Sequence, residues 1–96
     1  MRRCYIVTYD IRCQKRWRKV WKVMNGFGEW WQYSVFFCVL RDIDRVRMQT
    51  MLEEAINQRE DQVVIVDLGP DEQSARDAAT VLGQALPQGQ SGVVVI

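Results

Sequence analysis

Asp10 is the only acid among the first 28 residues, and it stands where an apolar run ends and a basic one begins. Cys4-Tyr5-Ile6-Val7-Thr8-Tyr9 leads into it, and Arg12, Lys15, Arg16, Arg18, Lys19 and Lys22 follow it. A carboxylate at the C-terminal end of a strand, beside a polyanion site, suits a divalent cation. Mg²⁺ takes oxygen ligands and keeps several waters, so one or two carboxylates suffice. Two plainer readings of Asp10 stay open: a cap on the following helix, or an ion pair with Arg12. A single carboxylate is thin for a hydrolytic metal site, and a two-fold dimer would bring a second Asp10 to it.

The cations have their own chemistry. Residues 1–22 hold eight Lys or Arg and one acid, a net +7, whereas residues 23–96 hold five Arg and eleven acids, a net −6. The whole-chain charge of +1 conceals this split. A one-sided basic segment points to a polyanion partner. Lys and Arg displace counterions from phosphates and fix the register of a duplex without reading its bases. A solvated helix face is the bland alternative. Such faces mix signs, however, and residues 11–28 contain no acid.

Histidine is absent from the chain. Ser–His and Cys–His triads within one chain are thereby excluded, and the chemistry must lean on carboxylates, oxygen-ligated metal or positioning. Cys4, Cys13 and Cys38 are odd in number and form no Cys-x-x-Cys pair. They read as reduced thiols of a cytoplasmic protein, not as a disulfide framework or zinc site. No apolar run reaches the ~18 residues of a membrane span, and Arg2 and Arg3 lead straight into a strand-like run instead of a signal peptide.

The elements that position these residues follow from periodicity. At 96 residues the chain is expected to be one domain, with a core at 3–70 and an extension at 71–96. Residues 4–9, β-branched and aromatic, predict a buried strand ending at Asp10. Trp17, Val20, Trp21 and Met24 fall at i, i+3, i+4 and i+7, which predicts a helix from Cys13 to Asn25 with both tryptophans in the core. Lys15, Arg16, Arg18, Lys19 and Lys22 fill its exposed arc. Gly26 is placed as its left-handed stop. Asn25-Gly26-Phe27-Gly28 superficially resembles an RNA-recognition signature, but the match fails after Gly28 and the segment follows the wrong element.

Residues 29–40 are too long for one strand, and the polar Gln32-Tyr33-Ser34 marks the break between two. A second helix is expected from Asp42 to Gln58, with Met48, Met51, Leu52, Ala55 and Ile56 as its apolar face. A further strand runs from Asp61 to Leu68 and closes at Gly69-Pro70. The order β-α-β-β-α-β predicts an α+β, ferredoxin-like fold. Residues 71–86 have helical composition, 87–92 read as a linker, and Val93 to Ile96 as an extra strand completing a sheet edge in its own chain or a partner's.

Tyr9-Asp10-Ile11, the run Arg16-Trp17-Arg18-Lys19-Val20, Gly28, and Gln32-Tyr33-Ser34-Val35-Phe36 together resemble the CRISPR-associated protein two family, the small subunit of the spacer-acquisition machinery. The likeness continues through Val64-Ile65-Val66 and Leu68-Gly69-Pro70. The resemblance implies a ferredoxin-like homodimer whose C-terminal strand often joins the partner's sheet. It implies that Asp10 faces its symmetry mate and binds Mg²⁺ or Mn²⁺. It further implies partnership with the CRISPR integrase subunit on double-stranded DNA, and a metal-dependent endonuclease activity on RNA or double-stranded DNA that not every member shares. Tyr9 and Asp10 match the family's acidic site, Arg16 and Arg18 its basic helix, and Ser34 and Phe36 its hairpin motif. A scaffold without chemistry remains the alternative.

Overall fold

The structure is a computed structural model that describes residues 1–87. Four strands and three helices follow one another along the described residues. They are β1 (Arg2–Asp10), α1 (Gln14–Phe27), β2 (Glu29–Gln32), β3 (Val35–Arg41), α2 (Asp42–Ala55), β4 (Gln62–Gly69) and α3 (Glu72–Asp77). The strands form one antiparallel sheet in the order β2-β3-β1-β4. β3 lies between β1 and β2, so the first helix links two strands that are not neighbours, as the predicted ferredoxin-like fold requires.

Alternation along β1 sorts side chains to two faces. Tyr5, Val7 and Tyr9 meet Val20 and Met24 of α1, Met48 and Leu52 of α2, and Phe36, Cys38 and Leu40 of β3 in the larger core. On the opposite face Cys4, Trp31 and Phe37 pack with Ala75 of α3 and, at the margin, with Ile6, Val35, Val39, Leu68, Ala79 and Leu86. α3 thus lies against β1 and the end of β4, and the segment after it reaches across to β2 and β3. Toward β4, Val64 and Val66, paired with Thr8 and Ile6, stay exposed.

Several expectations shift. α1 runs two residues past Asn25, and Gly26 lies inside it. The residue that needs to be glycine is Gly28, which follows the helix. A Cβ there would meet Cys38 Sγ at 2.5 Å and the Phe37 carbonyl oxygen at 2.8 Å. Its φ of −151° is extended, so close approach, not a left-handed cap, fixes its identity. The second helix stops at Ala55, before Gln58, because Asn57 organises a turn. Its side-chain oxygen accepts from the amides of Arg59 and Glu60 at 2.9 and 3.2 Å. Met51, read as a core position, is exposed. Helical structure within 71–86 is confined to the six residues of α3. The expected linker beyond Pro87 and the strand at 93–96 lie outside the described residues. No helix among the described residues is long and apolar enough to cross a membrane.

Candidate functional site

The end of β1 carries Asp10 to the rim of the sheet, next to the β2–β3 turn on one side and the start of β4 on the other. Asp10 pairs with Gln62 in the ladder, and the Tyr9 amide donates to the Ser34 carbonyl at 3.2 Å. The Asp10 carboxylate is 63% exposed and lies 3.4 Å from an Arg12 guanidinium nitrogen. Of the two plainer readings, the ion pair is present. The capping role is not, because Cys13 occupies the N-cap and no side chain caps that end.

Tyr9 faces inward. Its ring stacks on Phe36 at 6.3 Å, and Phe36 in turn meets Trp21 edge-on at 5.3 Å. Burial pushes the Tyr9 phenol up to about 12, with neighbouring Ser34 pulling weakly the other way. The hydroxyl is therefore protonated at neutral pH. It is buried and meets no partner at hydrogen-bond geometry among the described residues. Phe36 is fully buried as well. Both rings support the rim on which Asp10 and Ser34 stand.

The basic residues divide into two groups. Lys15, Arg18, Lys19 and Lys22 recur at i, i+3, i+4 and i+7 on α1, so they share one face. All four are exposed, and none is in an ion pair among the described residues. Lys19 and Lys22 also edge a shallow groove floored by Val23, Met51 and Ala55 between the two long helices. Arg16 points elsewhere. Its Nε donates to Asp61 Oδ2 at 2.7 Å, and its other nitrogen reaches Asp61 Oδ1 at 3.2 Å and Glu60 Oε1 at 2.9 Å.

Asp61 is a residue that periodicity marks only as a strand start. Its side chain has no exposure and also accepts from the amides of Arg12 and Asn57 at 2.9 and 2.8 Å. Arg16 above all, then those two amides, holds its carboxyl far below the usual range. No local sequence signal announces a pair separated by 45 residues. The Asn57-to-Asp61 spacing, an Asx turn closed by an acid, is its one visible half.

A second hidden pair lies on the far face. Arg76 of α3 donates to both Glu29 oxygens at 3.1 and 2.9 Å, and its guanidinium sits 4.5 Å above the Phe37 ring. Trp31 Nε1 adds a 3.1 Å bond to the same carboxylate. The tryptophans expected in the core, Trp17 and Trp21, are half-buried and stacked on each other at 5.6 Å.

As a metal site, one chain offers oxygen donors of the right kind but too few of them. No group of three or more Asp, Glu, Cys or His side chains converges among the described residues. Asp10 is exposed enough to meet a second copy of itself, and two carboxylates match what Mg²⁺ or Mn²⁺ takes from a protein. One chain by itself therefore does not supply such a set among its described residues.

With this geometry established, the model for CRISPR associated protein Cas2 matches residues 2–76. The chain belongs to the Cas2 family. A CRISPR-associated endoribonuclease Cas2 of Geobacter sulfurreducens is 51% identical over 72 residues, 75% of this chain and 76% of that one. One of Rhodospirillum rubrum is 48% identical over 68 residues, 71% of this chain and 67% of that one. The crystal structure of Streptococcus pyogenes Cas2 superposes with a TM-score of 0.72 at 28% identity, over 83% of this chain and 99% of that one. The Cas2 match ends within α3, so the Arg76–Glu29 pair closes the family region, and the segment from 77 onward lies beyond it.

Proposed function

We propose that this Cas2 chain is a nucleic-acid-binding subunit of CRISPR spacer acquisition that grips the phosphate backbone, with a divalent-metal endonuclease site formed where two chains juxtapose Asp10. The observation that carries the reading is the exposed basic face of Lys15, Arg18, Lys19 and Lys22, unpaired among the described residues, on the helix that follows Asp10. Arg12 adds a fifth exposed cation directly at the acid. Cations arranged this way bind phosphate regardless of sequence. The endonuclease half draws on relatives named endoribonucleases.

In the homodimer, two Asp10 carboxylates would hold Mg²⁺ or Mn²⁺. Bound there, the cation supplies Lewis-acid stabilisation of charge on the phosphate and lowers the pKa of water. The chain's own residues do the rest. Arg12 and the α1 face position the scissile backbone. Ser34, in the turn at the rim, would orient a phosphate oxygen or a water. Buried Tyr9 and Phe36 hold the rim rigid. Arg16, engaged by Asp61 and Glu60, fixes the start of α1 and so aims the basic face. The partners are the second copy, the CRISPR integrase subunit, and double-stranded DNA or RNA.

A second reading, a scaffold that binds nucleic acid without cutting it, is favoured by the Asp10–Arg12 contact, which neutralises the lone acid. A nuclease assay with RNA and duplex DNA, with and without Mg²⁺, separates the two. Under the endonuclease reading Asp10→Ala abolishes cleavage and keeps binding. Absence of metal-dependent cleavage by the wild type leaves the scaffold.

A further inference from the structure

We propose that Tyr33 is a base-stacking residue that holds an unpaired nucleobase beside the Asp10 rim. The inference rests on the backbone-binding reading above and gives that site a preference for single-stranded over duplex nucleic acid.

Tyr33 and Ser34 are the two central residues of the turn joining β2 to β3, since Gln32 pairs with Val35. Tyr33 has a φ of +38°, the one positive φ of a non-glycine residue among those described, and Ser34 does not share it. Positive φ at the first central position alone is the sign pattern of a type II′ turn, where glycine is the favoured residue. A bulky side chain in that region is strained. The surroundings enforce it: Trp30 Nε1 donates to the Tyr33 carbonyl at 2.8 Å, and the Ser34 carbonyl is held by the Tyr9 amide at 3.2 Å. Backbone strain kept in place by neighbouring hydrogen bonds clusters at positions that serve a site.

The side chain shows what that use is. Tyr33 is 85% exposed, and every other Tyr, Trp and Phe is buried or half-buried. The ring contributes nothing to the core and leaves both of its faces free for a ligand to cover. The turn lies at the same end of the sheet as Asp10, because Thr8 pairs with Val35 and the next residues on each strand are Tyr9-Asp10 and Ser34-Tyr33. Arg12 stands beside Asp10. Tyr33 also walls an open groove of about 650 Å³ with Trp30 and Trp31. Phosphate-binding cations with a bare aromatic ring at their edge are the combination by which single strands are held, base on ring and backbone on cations. In a duplex the base faces are already stacked on one another and cannot take the ring.

The test compares wild type, Tyr33→Phe and Tyr33→Gly by equilibrium binding of a 12-nucleotide unstructured RNA and a 12-base-pair duplex, in EDTA so that no cleavage intervenes. Glycine suits the turn, so Tyr33→Gly should keep or raise Tm. It should weaken single-strand binding by about tenfold, the effect of losing one stacked base, and leave duplex affinity and the salt dependence of both unchanged. Tyr33→Phe should bind as wild type. A 2-aminopurine base in the RNA should be quenched by wild type and Tyr33→Phe and not by Tyr33→Gly. Single-strand affinity and quenching unaltered in Tyr33→Gly, with duplex binding intact, would overturn this inference alone. An equal loss on both ligands would overturn it too, because the ring would then act through the fold. A wild type that binds neither ligand at low salt would sink the backbone-binding reading together with this one.

Discussion

Arg16 and Asp61 are joined through both carboxylate oxygens, at 2.7 and 3.2 Å, across 45 residues of chain. The pair fastens the first turn of α1 to the turn that leads into β4. It removes one cation from the basic segment and uses it to orient the others. Because Asp61 has no exposure, loss of its charge weakens the acceptor shared by Arg16 and two amides and leaves Glu60 as the one carboxylate partner of Arg16 among the described residues.

Asp61→Asn should therefore lower Tm more than neutralising Asp67, whose pair with Arg3 is half exposed. Its pH behaviour should change as well. The folded carboxyl sits far below the ordinary value of 3.8, so its stabilisation is complete above about pH 4 and is lost as pH falls through the folded pKa. Thermal melts between pH 2 and 6 should show wild type losing stability at the acid end and Asp61→Asn losing less.

Charge on the α1 face should set the ionic component of binding. Replacing Lys15, Arg18, Lys19 and Lys22 by Gln should weaken binding to RNA and duplex DNA alike. The slope of log K against log salt should fall by roughly 0.9 for each duplex phosphate that is no longer neutralised. Tm should stay near wild type, since these side chains have no partners among the described residues. Arg16→Gln should do the reverse, with a clear loss of Tm.

Gly28→Ala tests the close approach of β2 to β3. The added methyl would collide with Cys38 Sγ and the Phe37 carbonyl oxygen, and the second of these is backbone that cannot swing away. Overpacking of this kind costs about 1–3 kcal/mol, measurable as a lower denaturant midpoint at unchanged m-value.

Glu29→Gln tests how α3 is held. The change leaves Arg76, whose side chain is 9% exposed, without its bidentate acceptor. Arg76 keeps its 2.9 Å bond to Glu72, so its charge is not left unpaired and the loss is that of the link to the sheet. Few other contacts hold this short helix, so the loss should first appear as faster amide exchange at residues 72–77 and not as global unfolding.

The fold is legible in the sequence because its signals are local. Alternation through residues 4–9, the i, i+3, i+4, i+7 stripe of Trp17, Val20, Trp21 and Met24, and the polar break at Gln32-Tyr33-Ser34 each act within a few residues. The face opposite the long helices is not legible. It depends on α3 folding back so that Arg76 meets Glu29, a contact spanning 47 residues that composition cannot register. The same holds for Arg16: its type and place match a phosphate ligand, and only the turn that delivers Asp61 shows what it touches. Conformational freedom points to Gly26 as the glycine that matters, whereas the structure uses the smallness of Gly28. For Tyr33 the sequence offers a polar turn residue, and the left-handed backbone beneath it has no sequence mark of its own.

The half-covered sheet has a steric corollary. α3 and the segment after it rise above the sheet like a spacer, while Val64 and Val66 of β4 lie level and exposed beside them. A flat body laid on this face meets the spacer first and must tilt or slide toward β4. Two copies stacked this way would be staggered instead of eclipsed.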